Sequence, residues 1–576
     1  MLRAELRVGA PAPGGRWILG LSLAWCLLLS GPAPAAPANT TTAPANTATA
    51  PADTGDEAFG ALVAEFAEAN FRGKEALAGQ LLATGHPRVR DVLTALLEDR
   101  LFERERDGRI FVVESNDERL TAFQLLDPAS LDPVEAVAPD LLRRIITNNR
   151  LRRFLRGMIA RFSLSSTDSG VRLEAARELL RDLDEETTDL LRRRAQVETD
   201  PDVAYELETA LALEALDHGY PAVRIAAVET LSGRLNPVVH NRLSALVATT
   251  EDGGHVETDA DVRAVAADAL WQIDSMRNVY SVLETAAFGL SLGSVLVLVA
   301  IGLAITFGVM GVINMAHGEL MMLGAYTTYV VQLWMPDLIG VSLLVAVPAA
   351  FLVAGAVGVI IERSVIRFLY GRPLETLLAT FGVSLVLQQL VRSVFSANNR
   401  AVITPSWMSG ALQFNEAFSL TWNRMYIVLF ALLVFALVLA VLRRTRLGLD
   451  IRAVSQNRAM AKAMGVRTEW VDVMTFGLGA GIAGVAGVAL TQLTNVGPNL
   501  GQSYIVDSFM VVVFGGVGNI WGTLIGGMSL GIVNKLLEPF AGAVLGKILV
   551  LVLLILFIQR RPRGLFPQTG RAAEGA

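Results

Sequence analysis

Cysteine is nearly absent, with one residue, Cys26, in 576. It falls in an N-terminal segment with a basic start (Arg3, Arg7, Arg16), an apolar run from Trp17 to Leu29 and a small-residue exit, Ala33-Pro34-Ala35. That layout predicts a secretory signal peptide over 1–35, because an apolar run of ~13 residues is short for a bilayer crossing. An uncleaved anchor is the other reading; a lipoprotein signal is disfavoured because bulky Trp25 precedes Cys26. With the signal removed no cysteine remains, which excludes disulfides, thiolate catalysis and thiolate metal sites. Histidine is almost as scarce, with five residues. His86, His218, His240 and His255 have no ligand spacing and read as surface residues, so neither a metal nor a cofactor is implied. Complete nucleotide motifs are missing too. Gly515-Gly516-Val517-Gly518 lacks the strand, helix and trailing glycine of a dinucleotide loop, and Gly542 to Lys547 ends in Gly-Lys-Ile where a phosphate loop needs Gly-Lys-Ser/Thr. No catalytic constellation emerges. The chain does not read as an enzyme, and any ATP hydrolysis it depends on belongs to another subunit.

What is present divides the chain in two. Hydrophobic residues make up 52% and the mean hydropathy is +0.46, which indicates a large membrane portion. Residues 286–576 hold 19 Lys/Arg and 11 Asp/Glu, a net of +8; subtraction from the totals of 49 and 55 leaves 30 and 44, a net of −14, for residues 1–285. An acidic soluble half and a basic apolar half are different physical objects. Nucleic-acid binding is disfavoured, since the soluble half is acidic and the cations of the other half flank apolar runs.

Within the acidic half, residues 36–56 form a Pro/Ala/Thr-rich flexible tether. From 57 to 280 apolar residues recur three and four apart, as in Phe59 to Ala69 and Val203 to Leu216, and predict an α-helical domain, with one short hairpin strand near Arg109 to Glu114. A pattern V-R-x-x-A-x-x-x-L occurs at Val171, Val223 and Val262, intervals close to the period of paired-helix solenoids. The reading is a HEAT-like repeat domain in which Val, Ala and Leu pack while the Arg reaches along the surface; an ordinary helical domain is the alternative.

The basic half predicts spans near 286–312, 318–334, 339–361, 374–394, 425–442, 471–493, 505–519, 522–537 and 542–559, an all-α polytopic bundle of 8–9 crossings covering residues 286–566 before a tail at 567–576. Its longest polar interruption, Arg443 to Trp470, carries seven Lys/Arg, which places that loop, with Arg363, Arg367, Arg372 and the ending Arg560, Arg561 and Arg563, in the cytoplasm. Nine crossings then put the N-terminal domain outside. Inside the loop, Ile451 to Met464 reads as a short amphipathic helix ended by a C-cap glycine, Gly465, suited to docking a soluble partner. Pairs such as Gly522/Gly526 and Gly527/Gly531 indicate close helix packing. Polar groups at membrane depth (Asn314, His317, Glu319, Thr380, Gln388, Asp507) are candidates for a solute passage, with a structural turn as the alternative for His317 and Glu319.

Four stretches, Gly302 to Tyr326, Gly448 to Gly465, Phe514 to Gly527 and Arg560 to Phe566, resemble the membrane subunit of branched-chain amino-acid ABC importers. The exported helical extension resembles the urea-importer branch of these permeases. The resemblance implies a permease subunit of the bacterial inner membrane, most simply for urea, with branched-chain amino acids or short amides as alternatives. It implies as partners a second homologous permease, two cytoplasmic ATPases and a periplasmic solute-binding protein. It also implies that Ala461 to Gly465 is the Ala-x-x-x-Gly element that fits a groove on the ATPase. Arg452-Ala453 stands where family members begin that loop with Glu-Ala. A passive urea channel or a scaffold built on the repeat domain are readings of another class.

Overall fold

The computed structural model describes residues 53–116, 122–250 and 254–566. The expected signal peptide, nearly all of the tether and the tail lie outside the described residues. The chain forms two compact units that divide at Ile159/Ala160. That division does not fall at the 280–286 junction between the acidic and basic halves.

In the first unit three helices, α1 (Asp53–Ala64), α2 (Phe71–Ala83) and α3 (Val89–Leu97), precede a five-stranded antiparallel sheet, β1 (Leu101–Arg104), β2 (Arg109–Val113), β3 (Phe123–Leu126), β4 (Pro133–Val137) and β5 (Leu142–Arg144). The strand order is β4-β3-β2-β1-β5. This corrects the all-α expectation. The hairpin at Arg109 is only the middle of a sheet whose other strands are three to five residues long. Its two faces alternate as the pleat requires: Leu101, Ile110 and Val112 join the helices in one core, while Phe102, Phe111, Val113 and Leu125 build another.

The second unit begins with paired helices. Helix α4 (Asn149–Ser163) crosses the division, followed by α5 (Ser169–Leu179), α6 (Glu185–Ala195), α7 (Pro201–Ala215), α8 (Pro221–Leu231) and α9 (Pro237–Val247). The repeat motif opens α5, α8 and the next helix, α10 (Ala260–Met310), and its Ala175, Ala227 and Ala266 are all buried. Its arginines do not run along the surface. Arg172 is 7% exposed, pairs with Glu198 at 2.8 Å and donates to the Ser166 and Thr167 carbonyls. Arg224 repeats the arrangement with Glu257 at 2.8 Å and the His218 carbonyl. Each guanidinium thus satisfies loop carbonyls and a carboxylate from the loop that follows the next helix, which is what lets it be held largely out of water.

Glu198 is the more constrained partner. The Arg172 guanidinium, aided by the Asp200 amide and Arg194, holds its carboxyl down at about 2 from an ordinary 4.5, against the upward pull of burial. A lowered folded-state value means stabilisation that is complete above the unfolded value and is lost as pH falls through the folded one. That lowering is on the order of 3 kcal/mol. The stability of this unit against urea should therefore fall as pH drops from about 5 toward 2, and Glu198→Gln should be less stable at neutral pH and flatten that dependence. Equal pH slopes for the two proteins would refute the assignment.

Helix α10 is 51 residues long and unbroken through residues 280–286, about 75 Å at 1.5 Å per residue. Its first turns pack with the paired helices through Val262, Ala266 and Ile273, and its second half is buried in the membrane bundle from Val295 to Thr306. The bundle continues with α11 (His317–Trp334), α12 (Ile339–Ser364), α13 (Pro373–Phe395), a hairpin of β6 (Ala411–Asn415) and β7 (Phe418–Thr421), α14 (Trp422–Arg444), α15 (Arg446–Gln456), α16 (Arg458–Ala463), α17 (Thr468–Leu490), α18 (Leu500–Gly515) and α19 (Ile520–Arg560). The hairpin tip docks on the paired helices, where Glu416 accepts from Asn236 at 3.0 Å and lies 3.7 Å from Arg177.

Among the described residues six helices, α10, α12, α13, α14, α17 and α19, are long and apolar enough to cross a membrane, against the 8–9 spans expected. Two of the missing spans exist as helices but fall short. His317, Glu319 and Gln332 dilute the apolar character of α11, and α18 has only 16 residues. The expected spans 522–537 and 542–559 fall on the two helical segments of α19, which meet at a non-helical residue, Gly542 (φ 74°), three residues after Pro539. Helix α17 and the second half of α10 are buried on nearly all sides and form the centre of the bundle.

Candidate functional site

Two places in the second unit gather candidate functional side chains. The first is the turn between α10 and α11. Gly311, in the left-handed region at φ 66°, ends α10 and allows the chain to turn inside the bundle. The following residues Asn314, His317 and Glu319 are 0–1% exposed. Facing them, α13 presents Thr376, Thr380, Ser384 and Gln388 at four-residue intervals, all buried, while Leu378, Phe381, Leu385 and Val386 point outward. This is an amphipathic helix with its polar stripe inward, as membrane depth requires.

The stripe holds the turn. Thr380 Oγ1 accepts from the Met315 amide at 3.1 Å, and Glu319 Oε1 accepts from Ser384 Oγ at 3.0 Å and Gln388 Nε2 at 2.7 Å. His317 Nε2 donates to the Val299 carbonyl at 3.1 Å. Asn314 Oδ1 accepts from the Ala316 amide at 3.0 Å. Three buried polar atoms are left without a partner: Asn314 Nδ2, His317 Nδ1 and Glu319 Oε2. Such atoms are costly in an apolar interior and mark a place where a polar guest gains most. Of the six candidate residues, Asn314, His317 and Glu319 lie in or just after this turn, Gln388 bonds Glu319 and Thr380 bonds the turn's backbone. Asp507 is elsewhere, paired with Lys547 at 3.0 Å. Thr376 and Ser384 escaped the sequence reading, although their four-residue spacing with Thr380 and Gln388 was the signal that could have found them.

The second place is the basic loop. The single helix expected over Ile451 to Met464 is two, α15 and α16, broken at Asn457, whose extended backbone lets its side chain cap α16 by accepting from the Met460 amide at 2.9 Å. Gly465 does end α16, at φ 88°, with its amide on the Lys462 carbonyl and that of Val466 on the Ala461 carbonyl; this is the Schellman pattern. Ala461, however, is 5% exposed and packs into the bundle core. Arg452 donates to the Leu442 carbonyl and so finishes α14, and Ala453 packs against the same core. The large apolar side chains of the loop that face outward are Leu449, Met460, Met464 and Trp470, at 59%, 60%, 79% and 55% exposure. Among the described residues no group of His, Cys, Asp and Glu could hold a metal ion.

Residues 285–558 match the family model described as branched-chain amino acid transport system / permease component. The chain is 31% identical over 301 residues to the high-affinity branched-chain amino acid transport system permease protein BraD of Pseudomonas aeruginosa, covering 50% of this chain and 97% of that protein. The chain belongs to this family. The permease is also 34% identical to LivH of Escherichia coli (strain K12), a protein of the same description, over 288 residues, 48% of this chain and 92% of LivH. A shorter stretch of 112 residues is 34% identical to the ribose import permease protein RbsC of the same strain, covering 18% of this chain and 34% of RbsC. No solved structure matches. The permease is thus a transport subunit and not an enzyme. Its family match begins at residue 285, halfway along α10, so the family's share of the chain includes both the turn and the basic loop.

Proposed function

We propose that the permease carries urea across the bacterial inner membrane as part of an ABC importer. The observation that carries this reading is the set of three unpartnered atoms at Asn314, His317 and Glu319. Urea offers two amino groups that donate and one carbonyl that accepts. Glu319 Oε2, on the α13 side, can accept and the Asn314 amide can donate, the two kinds of bond that a small planar diamide offers, while His317, tied to α10 through Val299, adds an acceptor on the other side of the turn. The resemblance of the extended chain to the urea-importer branch supports the same reading. The printed names of BraD and LivH favour a second one, branched-chain amino acids.

In this reading the paired helices and the sheet unit are outside the cell, with a HEAT-like array among them, and a periplasmic binding protein delivers solute there. The basic loop is cytoplasmic, the C-terminus lies on the same side, and a second homologous permease and two ATPases complete the importer. ATP-driven closure of the ATPases moves the loop and switches the bundle between outward and inward access.

Labelled urea and labelled leucine given to cells lacking and then regaining the permease separate the two solutes. Urea uptake should return with the gene and vanish on ATP depletion. Glu319→Ala, which removes two hydrogen bonds and the free oxygen, should cut it by about 10- to 100-fold, the equivalent of ~1.5–3 kcal/mol. Restored leucine uptake without urea uptake would overturn the assignment, and flux that survives ATP depletion would make the protein a channel.

A further inference from the structure

Helix α16 is six residues long, and its two caps, Asn457 and Gly465, are both local. Among the described residues, its one hydrogen-bonded tie to the rest of the bundle is Arg458, whose Nη1 and Nη2 meet Oδ1 and Oδ2 of Asp472 on the central helix α17, the first at 3.2 Å. The same guanidinium lies over the Tyr370 ring, 4.6 Å from its centroid. Tyr370 is in the turn that leads into α13, the helix carrying the polar stripe. Beside this contact is a cavity of about 620 Å³, lined by Glu362, Arg367, Tyr370, Arg458, Lys462 and Asp472.

We infer that Arg458 is a positioning residue that passes movement of α16 to α17 and α13, the two helices that frame the buried turn. The asymmetry of the pair is what makes it transmit. Asp472 is 1% exposed, whereas the Arg458 side chain is 40% exposed. Pulling the guanidinium away would leave the Asp472 carboxylate, 1% exposed, without its direct partner and beside the acidic Glu362, so the helices move together and the pair stays closed. The planar fork keeps a fixed geometry while the cavity leaves α16 room to shift. On the far side, α17 touches α11 where Gly484 meets Gly324, five residues beyond Glu319. A displacement entering at Arg458 therefore has a continuous packed route to the solute-facing groups.

This inference rests on the reading that the basic loop docks the ATPases, and the test separates the two. The complete importer, purified with its ATPase subunits and placed in proteoliposomes, is measured for ATPase recruitment and for solute moved per ATP hydrolysed. Arg458→Ala and Asp472→Asn should still recruit and hydrolyse but move at least about ten-fold less solute per ATP, within the usual range of coupling factors. The exchange Arg458→Asp with Asp472→Arg should recover most of that loss. Where the single variants fail to fold, Arg458→Lys keeps the charge and loses the fork, and should give a smaller deficit in the same ratio. Wild-type solute per ATP in any assembled single variant overturns the inference while leaving the docking reading intact. If the wild-type chain recruits no ATPase, both fall.

Discussion

Gly324→Leu is expected to abolish the folded permease. A Cβ at Gly324 would sit 2.5 Å from the Gly484 Cα and 2.6 Å from its carbonyl carbon, and a Cβ at Gly484 would sit 2.5 Å from the Ala350 carbonyl oxygen. The obstructing atoms are backbone, which cannot turn aside as a side chain can. Three helices, α11, α17 and α12, meet at these residues, and the contact is close because membrane helices gain from packing where they cannot gain from excluding water. Relief requires moving α11 as a body, which would drag Glu319 from Ser384 and Gln388. Overpacking of a rigid core typically costs ~1–3 kcal/mol, and a leucine forced between backbones belongs above that range. The check is the yield of monodisperse protein after detergent extraction and its melting temperature. Gly382→Ala is the control: that glycine lies on α13 with nothing within 4 Å of its added Cβ, so the change should be neutral or mildly stabilising. A Gly324→Leu protein that melts with the wild type would show that the helices are not locked there.

The same contrast between local and long-range determinants decides how much was legible. Apolar run length located the membrane helices because each satisfies its own backbone, and Gly465 was readable as a cap because its hydrogen bonds span five residues. The polar stripe on α13 was half visible, Thr380 and Gln388 without Thr376 and Ser384. The sheet was not legible beyond its hairpin, since strands as short as Leu142–Arg144 acquire their identity from partners forty residues away, Phe102 against Arg144 and Arg104 against Leu142. The continuity of α10 was hidden by a real change in composition near residue 285, which alters what surrounds the helix without interrupting its period. The family resemblance gave Ala461 as a contact for a partner, but small residues serve close packing on either side, and only the fold shows that Ala461 faces inward and its neighbours Met460 and Met464 outward.

That orientation yields the second large effect. Met460→Glu with Met464→Glu is expected to remove solute uptake while leaving the permease folded. The two thioethers are four residues apart on one face of α16, more than half exposed, within the most basic stretch of the chain. Exposed methionines in such a setting fit an adaptable apolar contact. Anchors of this kind cost ~2 kcal/mol or more each when lost from an interface, so the pair should weaken ATPase binding by over ~100-fold. Because neither side chain is in the bundle core, the melting temperature of the isolated permease should not change. Ala461→Arg makes the opposite comparison: placing a guanidinium among Ile451, Val454 and Phe476 should lower the melting temperature as well as uptake. Co-purification of the ATPases with each variant, beside its melting curve, distinguishes the surfaces. Full ATPase recovery with the double glutamate variant would remove Met460 and Met464 from the interface; loss of recovery at an unchanged melting temperature would fix them there, with Ala461 and Gly465 shaping the helix that presents them.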